Sequence, residues 1–274
     1  MFDVITTFNG KIYGQTGRKC IKTFEKHWPA ECKMYAYYED MPLSSEAWDI
    51  ESERIKYMDF KIVCPEWNSF RKYAKTIEAD KMRSVKKQSF RFEATRFAHK
   101  VYSLLHAVKN ENKKVHKKRI FNNQYLVWLD ADVFTDKNIP IDFLERMINP
   151  DRYMSYLGRE RAHSECGFLI FNRYHPSHES FWKDMEDMYT GHKLFQEREW
   201  HDSYIFDVVR QRHESKGMQD INISAIDPKS IAETTSHVWM RSILAEYMDH
   251  MKGKSRKANG YSKERDYYKK KANL

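Results

Sequence analysis

Apolar runs alternate with amphipathic stretches along most of the chain, and this alternation predicts an α/β domain. FDVITTF at 2–8 and KMYAYYED at 33–40 are rich in β-branched and aromatic residues, which favour strands. Between them, the glycine-containing segment 9–17 is predicted to be a loop, and 18–28 a helix that ends before Pro29. A strand, a helix and a second strand in this order are typical of a parallel sheet.

The rest of the chain repeats this pattern. We predict further strands at 59–64, 125–129, 153–158 and 167–172, and further helices at 90–109, 139–148, 179–190 and 202–215. From Met251 onward aliphatic residues are few and lysines are many, which is typical of an exposed segment. We therefore predict one domain over residues 1–250 and a basic C-terminal extension or tail over 251–274.

The chain of 274 residues carries a formal net charge of +9, and the positive charge is concentrated in two blocks. Residues 71–121 and 250–274 are strongly basic, whereas residues 122–249 between them are acidic. A basic surface attracts phosphate, either in a nucleotide or along a polyanion. A run such as 109–119 is equally consistent with a solvated helix face.

The sequence also indicates where the protein works. The four cysteines form no C-x-x-C pair, which disfavours structural zinc and a secreted disulfide framework. The N-terminus does not look like a signal peptide, and no stretch approaches the roughly 20 apolar residues of a membrane span. We therefore expect a cytoplasmic protein, in the host cytoplasm if the protein is viral, with no membrane span.

Two carboxylates, Asp130 and Asp132, directly follow the predicted strand YLVWL at 125–129. Residues two apart on an extended segment project to the same side, so these side chains are expected to converge. Close like charges favour a divalent cation, and oxygen ligands suit Mg²⁺ or Mn²⁺, which often share their coordination with phosphates. The carboxyl end of a strand is also where open α/β sheets bind ligands. A helix cap and a turn would equally account for two aspartates here.

Three neighbouring features together resemble the GT-A class of glycosyltransferases. The apolar strand ends in LDADV, a basic amphipathic helix at 91–107 precedes it, and the segment HSECGFLIFN at 163–172 follows it. The resemblance implies a GT-A fold, which is a Rossmann-like, mostly parallel sheet flanked by helices, in a single domain. It also implies that the D-x-D motif holds Mn²⁺ or Mg²⁺ on the diphosphate of a nucleotide-sugar donor.

A second resemblance lies near the C-terminus. The segment HMKGKSR, which begins at His250, is similar to the H-x-x-G-x-x-K element of glycogenin-like, family 8 transferases. In that element the histidine completes the metal shell, and the glycine and the lysine approach the diphosphate. Here Arg256 stands in place of the lysine, or Lys257 takes that place shifted by one residue. Segments such as RFAHK and REWHDSYIFD also look like those of a less described group of bacterial and phage-type GT-A proteins.

The resemblance implies roles for particular residues. Asp132 is expected to be the main metal ligand and His250 a further one, while Asp130 is either a second ligand or a partner of the ribose and a nearby base. A larger set is expected to bind the donor: Thr6 and Thr7 at the nucleoside, Gly167 near the sugar, and Arg96, Lys100, Lys252 and Gly253 at the diphosphate. Each basic residue would also be explained by surface solubility.

Two acidic residues are candidates for the acceptor side of the reaction. Asp202 opens the predicted helix at 202–215, where many GT-A enzymes have a base or a partner of a sugar hydroxyl. It would serve as the general base if the reaction inverts, or position the sugar if it retains. Glu165, near the expected sugar pocket, is the second candidate. Asp202 would also be explained as the N-cap of its helix.

The sequence therefore predicts a metal-dependent glycosyltransferase, a hexosyl- or pentosyltransferase that uses a UDP-sugar and a hydroxyl acceptor. The basic blocks at 71–121 and 250–274 motivate the hypothesis that the acceptor is DNA with hydroxymethylated bases, whose phosphates the blocks would contact. A glycan, lipid or protein acceptor is the alternative. A non-catalytic nucleic-acid-binding protein is the alternative from another class, and it would leave the acidic motifs without a role.

Overall fold

The computed structural model describes residues 2–41, 50, 52–84, 89–110, 114–115, 118–119, 121, 123–225, 237–253, 256–257, 260 and 262. The strands are β1 (Phe2–Asn9), β2 (Lys33–Glu39), β3 (Ile55–Asp59), β4 (Lys114–Val115), β5 (Lys118–Arg119), β6 (Tyr125–Leu129), β7 (Val133–Thr135), β8 (Met154–Leu157), β9 (Glu165–Asn172), β10 (Ile221–Asn222) and β11 (Met248–His250). The α-helices are α1 (Gly10–Ile12), α2 (Arg18–His27), α3 (Phe60–Val63), α4 (Glu66–Ser84), α5 (Ala94–Asn110), α6 (Ile141–Glu145), α7 (His178–Tyr189) and α8 (Asp202–Glu214).

Seven of these strands form the central sheet, in the order β10-β8-β9-β6-β1-β2-β3. The pairings β1–β2, β2–β3, β1–β6 and β8–β10 are parallel, whereas β9 runs antiparallel to its neighbours β6 and β8. The predicted α/β architecture with a mostly parallel sheet is therefore confirmed. Parallel strands bring their carboxyl ends to one edge of the sheet, and the polar residues described below collect there.

The central strands are buried because helices cover both faces of the sheet. Successive side chains of β1 point to opposite faces, so Val4 joins the core beside α2 and Ile5 joins the core beside α5. All five residues of β6 are buried. Burial on both faces explains why β6 reads as a continuous apolar run instead of an alternating pattern.

The loop predicted at 9–17 is wrong, because Asn9 ends β1 and residues 10–17 are helical. The side chain of Asn9 caps α1 by accepting a hydrogen bond from the backbone N–H of Ile12 at 2.9 Å. A π-helical segment, Tyr13–Gly17, then continues into α2, and its residues Tyr13, Thr16 and Gly17 are buried. Tertiary packing outweighs the low helix propensity of the glycines in this segment.

The strand predicted at 59–64 is also wrong, because β3 lies earlier and ends at Asp59. The Asp59 carboxylate accepts hydrogen bonds from the backbone N–H groups of Lys61 and Ile62, and so starts α3. The strand is formed by the preceding IKYMD. A capping aspartate within an apolar stretch thus marks the change from strand to helix.

The remaining predicted elements are observed, and their ends lie within a few residues of the predicted ones. The sequence pattern does not predict α4, although Trp67, Phe70 and Ala74 from that helix are fully buried. The second half of the helix, from 75 to 84, is mostly charged and polar, which weakens the pattern. No helix in the described ranges combines the length and the apolar character that crossing a membrane requires.

Two described residues that follow His250, Met251 and Ser262, are buried against the domain. Met251 is buried, and its backbone N–H donates to the Asp132 carbonyl at 2.8 Å. The backbone N–H of Ser262 donates to the Asp249 carboxylate at 2.8 Å. Residues 263–274 of the predicted extension lie outside the described residues, and the boundary at 250 stays a prediction. The first contact places Met251 beside the carboxylate pair, and the second ties Ser262 to β11.

Candidate functional site

A cleft of about 590 Å³ opens at the carboxyl edge of the sheet. Side chains from the ends of β1 and β6, from α5, from the start of β9 and α8, and from the C-terminal segment line it. They include Thr7, Arg96, His99, Lys100, Trp128, Asp130, Asp132, Arg159, His163, Glu165, Glu199, His201, Asp202, Lys252 and Lys257. Most residues that the sequence analysis assigns to metal, donor and acceptor therefore share one cavity.

Asp130, Asp132 and His250 converge beside this cleft. β7 starts directly after Asp132, and β11 pairs with it so that His250 lies opposite Val133. Nε2 of His250 is 3.1 Å from Asp132 Oδ1 and 3.8 Å from Asp130 Oδ2. One ligand atom from each of the three side chains lies within 4.8 Å of the other two. Strand pairing thus brings a distant histidine to the carboxylate pair.

Cations surround the two carboxylates and give them different acidities. Nζ of Lys257 is 3.0 Å from Asp132 Oδ2, and Nζ of Lys100 is 3.2 Å from Asp130 Oδ1. Burial raises the pKa of Asp132, but His250 and Lys257 outweigh it and hold that pKa below its usual range. For Asp130 burial prevails over the attraction of Lys100, so its pKa is raised. Asp132 is therefore the more firmly ionised member of the pair.

This donor set fits a divalent cation. Two carboxylates and an imidazole are ligands that Mn²⁺ and related ions accept. Two other groups in the described part of the chain are close enough to share an ion: Glu165, His237 and His250, and His163, Glu199 and His201. Each of these groups contains a single carboxylate, so the group around Asp130 and Asp132 offers the greater negative charge to a cation.

Gly167 makes room for the imidazole of His250. A Cβ at Gly167 would lie 2.8 Å from His250 Cε1 and 3.3 Å from the Trp239 ring, which is too close for the rings to stay in place. The Gly167 carbonyl accepts a hydrogen bond from the Asp130 backbone N–H at 2.9 Å. Gly167 does not line the cleft. Its contact with the sugar stays a prediction, while the observed contact is with His250.

Gly167→Ala is expected to displace His250 and to weaken metal binding. The new methyl group would push the imidazole away from Asp132, so we expect the affinity for Mn²⁺, measured by calorimetric titration, to fall by about 10-fold or more. Overpacking should also lower the free energy of unfolding by about 1–3 kcal/mol. Gly14→Ala is the matched control, because nothing lies within 4 Å of its Cβ position. Unchanged Mn²⁺ affinity in Gly167→Ala would contradict this role.

Lys100 is buried and joins Asp130 to Asp202. Its Nζ is 2.6 Å from Asp202 Oδ2 and 3.2 Å from Asp130 Oδ1, and it donates to the Cys166 carbonyl at 2.6 Å. Burial lowers the pKa of Lys100, but the two carboxylates outweigh burial and raise it. Three acceptors use all three donors of an ammonium group. The observed role of Lys100 is to hold these carboxylates, and its contact with the donor phosphates stays a prediction.

Asp202 is the first residue of α8, but it is not the N-cap. The cap is His201, whose Nδ1 accepts a hydrogen bond from the backbone N–H of Tyr204 at 3.4 Å. The alternative explanation of Asp202 as a cap is therefore wrong. Its carboxylate instead faces Lys100 and accepts the backbone N–H of Ser203 at 2.9 Å. Asp202 thus lies in the wall of the cleft, and its role on the acceptor side stays a prediction.

Glu165 is buried at the start of β9 and is held by cations. Its Oε2 accepts a hydrogen bond from Lys252 at 2.6 Å and lies 2.9 Å from His237 Nε2. Burial raises the pKa of Glu165, but His237 and Lys252 outweigh it and hold that pKa well below its usual range. Lys252 and Glu165 therefore form one charged pair at the cleft, and the donor role of Lys252 stays a prediction.

The other predicted residues are divided between the cleft and its surroundings. Thr7 and Arg96 line the cleft, and Arg96 pairs with Glu93 at 3.1 Å. Thr6 is fully buried and absent from the lining, because neighbouring residues of a strand face opposite sides. Gly253 adopts a left-handed conformation with φ of +91° and does not line the cleft either. The assigned roles of these four residues stay predictions.

A cluster around Glu199 is present that the sequence analysis does not predict. Oε1 of Glu199 accepts a hydrogen bond from Arg91 at 2.8 Å, while Oε2 lies 2.9 Å from His201 Nε2 and 3.5 Å from His163 Nε2. Arg91, His163 and Glu199 come from distant parts of the chain. In the sequence, the only sign of this cluster is that Glu199 and His201 lie two residues apart. A strand or a turn would explain that spacing equally well.

Comparisons with known proteins give structural likeness only. No protein-family model and no curated protein matches the sequence. The chain is similar to mouse xyloside xylosyltransferase 1 in its apo form, with 9% identity over 80% of this chain and 84% of that chain and a TM-score of 0.46. It is similar to the galactosyltransferase LgtC in complex with donor and acceptor sugar analogues, with 11% identity over 92% of this chain and 87% of that chain and a TM-score of 0.47. For the bifunctional glycosyltransferase WbbM in its apo form the identity is 11%, over 92% of this chain and 46% of that chain, with a TM-score of 0.48.

Proposed function

We propose that this protein is a metal-dependent glycosyltransferase, which moves a sugar from a nucleoside diphosphate sugar to a hydroxyl acceptor. The observation that carries the proposal is the convergence of Asp130, Asp132 and His250 beside a cleft that Lys252 and Lys257 also line. Carboxylates that hold a divalent cation, with ammonium groups beside them, complement a diphosphate. A diphosphate is the leaving group of this transfer.

The contacts suggest what each residue contributes. Asp132, Asp130 and His250 would hold Mn²⁺ or Mg²⁺, which would supply positive charge against the leaving diphosphate. The ammonium group of Lys257 pairs with the Asp132 carboxylate at 3.0 Å. A divalent cation bound to that carboxylate would free the Lys257 ammonium group to contact a phosphate oxygen. Lys100 keeps Asp130 and Asp202 in place beneath the donor.

A non-catalytic nucleic-acid-binding protein is less well supported by the same observations. Lys100, Glu165 and Asp202 are buried charged residues that face one cleft. Burying charges costs free energy, and clusters of this kind are typical of functional sites. A surface that only contacts phosphates needs exposed cations and no buried carboxylates.

A donor screen by thermal unfolding tests the proposal. The protein is heated with Mn²⁺ and one nucleotide-sugar at a time, with UDP-sugars expected to bind on the basis of the sequence resemblance. At about 100 times the Kd, binding adds about 2.7 kcal/mol to the free energy of unfolding and raises Tm by several degrees. The same shift should vanish when Mn²⁺ is replaced by EDTA. Unchanged Tm with every nucleotide-sugar would contradict the proposal.

For the acceptor we place a glycan, lipid or protein hydroxyl ahead of a hydroxymethylated base in DNA. Several cations of the basic blocks are paired with carboxylates of the protein: Lys100 with two of them, Lys109 with Glu186 at 2.7 Å, and Lys257 with Asp132. Fewer charges are then left to follow DNA phosphates. Binding to duplex DNA that weakens steeply between low and moderate salt would reverse this order.

A further inference from the structure

The proposed transfer requires a group that accepts the proton of the acceptor hydroxyl, and the two predicted carboxylates are already engaged. Asp202 Oδ2 lies 2.6 Å from the buried ammonium group of Lys100. Glu165 Oε2 accepts a hydrogen bond from Lys252 at 2.6 Å, and although burial raises the pKa of Glu165, His237 and Lys252 hold it well below its usual range. Carboxylates stabilised in this way are weak proton acceptors.

His163 lines the same cleft, with 27% of its side chain exposed. Its Nδ1 lies 3.8 Å from Asp207 Oδ2, and its Nε2 lies 3.5 Å from Glu199 Oε2. Asp207 is fixed in turn, because the backbone N–H and the hydroxyl of Ser164 donate to it at 2.8 and 2.6 Å, and Arg210 donates at 3.2 Å. Both contacts are longer than an ordinary hydrogen bond, but the two fixed carboxylates counter the charge that the imidazole gains with a proton.

Two other histidines that line the cleft are committed to contacts within the protein. His201 Nδ1 accepts the Tyr204 N–H at 3.4 Å and its Nε2 lies 2.9 Å from Glu199, so both nitrogens are used. Burial lowers the pKa of His201 more than Glu199 raises it, which keeps the ring neutral. His99 Nε2 lies 2.9 Å from a carboxylate at the end of β2. His163 has longer carboxylate contacts, and its partly exposed ring lines the cleft.

We propose that His163 is the general base that activates the acceptor, a role that rests on the proposed function. The acceptor oxygen forms a bond to the anomeric carbon of the donor sugar. The bond from that carbon to the diphosphate oxygen breaks, and its electron pair leaves with the nucleoside diphosphate. The proton of the acceptor hydroxyl moves to Nε2 of His163, and Glu199 and Asp207 counter the resulting positive charge. Arg91 keeps Glu199 ionised through its hydrogen bond at 2.8 Å.

Several titratable and charged groups face His163. Besides Glu199 and Asp207, Arg159 donates to the backbone carbonyl of His163, and the rings of His201 and Tyr204 lie 5.3 and 5.0 Å from its ring. A general base acts only in its unprotonated form, so the rate is expected to fall on the acidic side of the pH profile.

His163→Gln tests the proposal in the full-length protein. The readouts are the pH profile of nucleotide-sugar turnover with Mn²⁺, including hydrolysis with water as acceptor, and nucleotide-sugar binding by thermal shift. We expect kcat to fall by about 100-fold or more, the acidic limb of the profile to disappear, and the binding shift to remain. In His163→Ala, added imidazole should restore part of the rate, because the position is open to the cleft.

His175→Gln is the matched control, since His175 is another half-buried histidine and lies outside the cleft lining. It should retain the wild-type rate and pH profile. A His163→Gln protein that keeps both the rate and the acidic limb would overturn the role of His163 while leaving the glycosyltransferase proposal intact. A wild-type protein that binds no nucleotide-sugar would overturn both.

Discussion

Asp132→Asn is expected to abolish metal-dependent turnover of the nucleotide-sugar. The amide has the same size as the carboxylate but lacks its charge, so Lys257 and a charged His250 would face a neutral group. Loss of a residue that only orients a ligand already costs 10- to 100-fold in metal affinity or activity, and loss of a ligand should cost more than about 100-fold. Calorimetric titration with Mn²⁺ and turnover of the donor at saturating Mn²⁺ measure the two effects.

Asp151→Asn is the control for this substitution, because Asp151 is exposed and lies outside the cleft lining. It should leave Mn²⁺ affinity and turnover unchanged. Asp130→Asn offers a graded comparison, since Asp130 is the less firmly ionised carboxylate of the pair. Full Mn²⁺-dependent turnover in Asp132→Asn would remove the metal site from this proposal, whatever the outcome for Asp130.

Lys100→Met is expected to be the most destabilising of the substitutions considered. Methionine has a similar length but leaves the buried Asp202, the half-buried Asp130 and the Cys166 carbonyl without their shared cation. Removing one partner of a buried ion pair typically costs about 3–5 kcal/mol. We expect a loss of this size in urea unfolding, and a loss of donor turnover even at temperatures where the variant is folded.

Two further variants distinguish the loss of the Lys100 ion pairs from a general effect of removing a charge. Lys109→Met lies on the same helix, but its ion pairs are half exposed, so its loss should be about 1 kcal/mol or less. The double variant with Lys100→Met and Asp202→Asn should be less destabilised than the sum of the two single variants, because the uncompensated charge is then removed. Additive losses would show that Lys100 and Asp202 do not depend on each other.

Much of the fold follows from local sequence patterns. The strand at 125–129 is observed with the predicted bounds, and the helix at 202–214 starts at the predicted residue. Continuous apolar runs and helical spacing are strong signals because burial on one or both faces demands them. These signals fail where a capping side chain or tertiary packing determines the local structure. Asn9 caps a helix in a glycine-containing segment, and Asp59 ends a strand by capping the next helix.

In the candidate site, too, some features follow from the local sequence and others only from tertiary contacts. The carboxylate pair is visible in the sequence, because two aspartates directly after a buried strand have a defined geometry. The strands β7 and β11 have three residues each, too few for a pattern, yet their pairing sets the distance between His250 and Asp132. Lys257 is far from Asp132 in the sequence, and only the tertiary structure brings its ammonium group to 3.0 Å from that carboxylate.

The sequence by itself determined the α/β class, the mostly parallel sheet and the position of Asp130 and Asp132 at a strand end, since these depend on residues close together in the chain. The tertiary structure decided which charges meet. Lys100 is committed to Asp130 and Asp202, Glu165 to Lys252, and His163 lies between Glu199 and Asp207. Such contacts join residues from distant elements, and the energy of a buried charge depends on its neighbours in space.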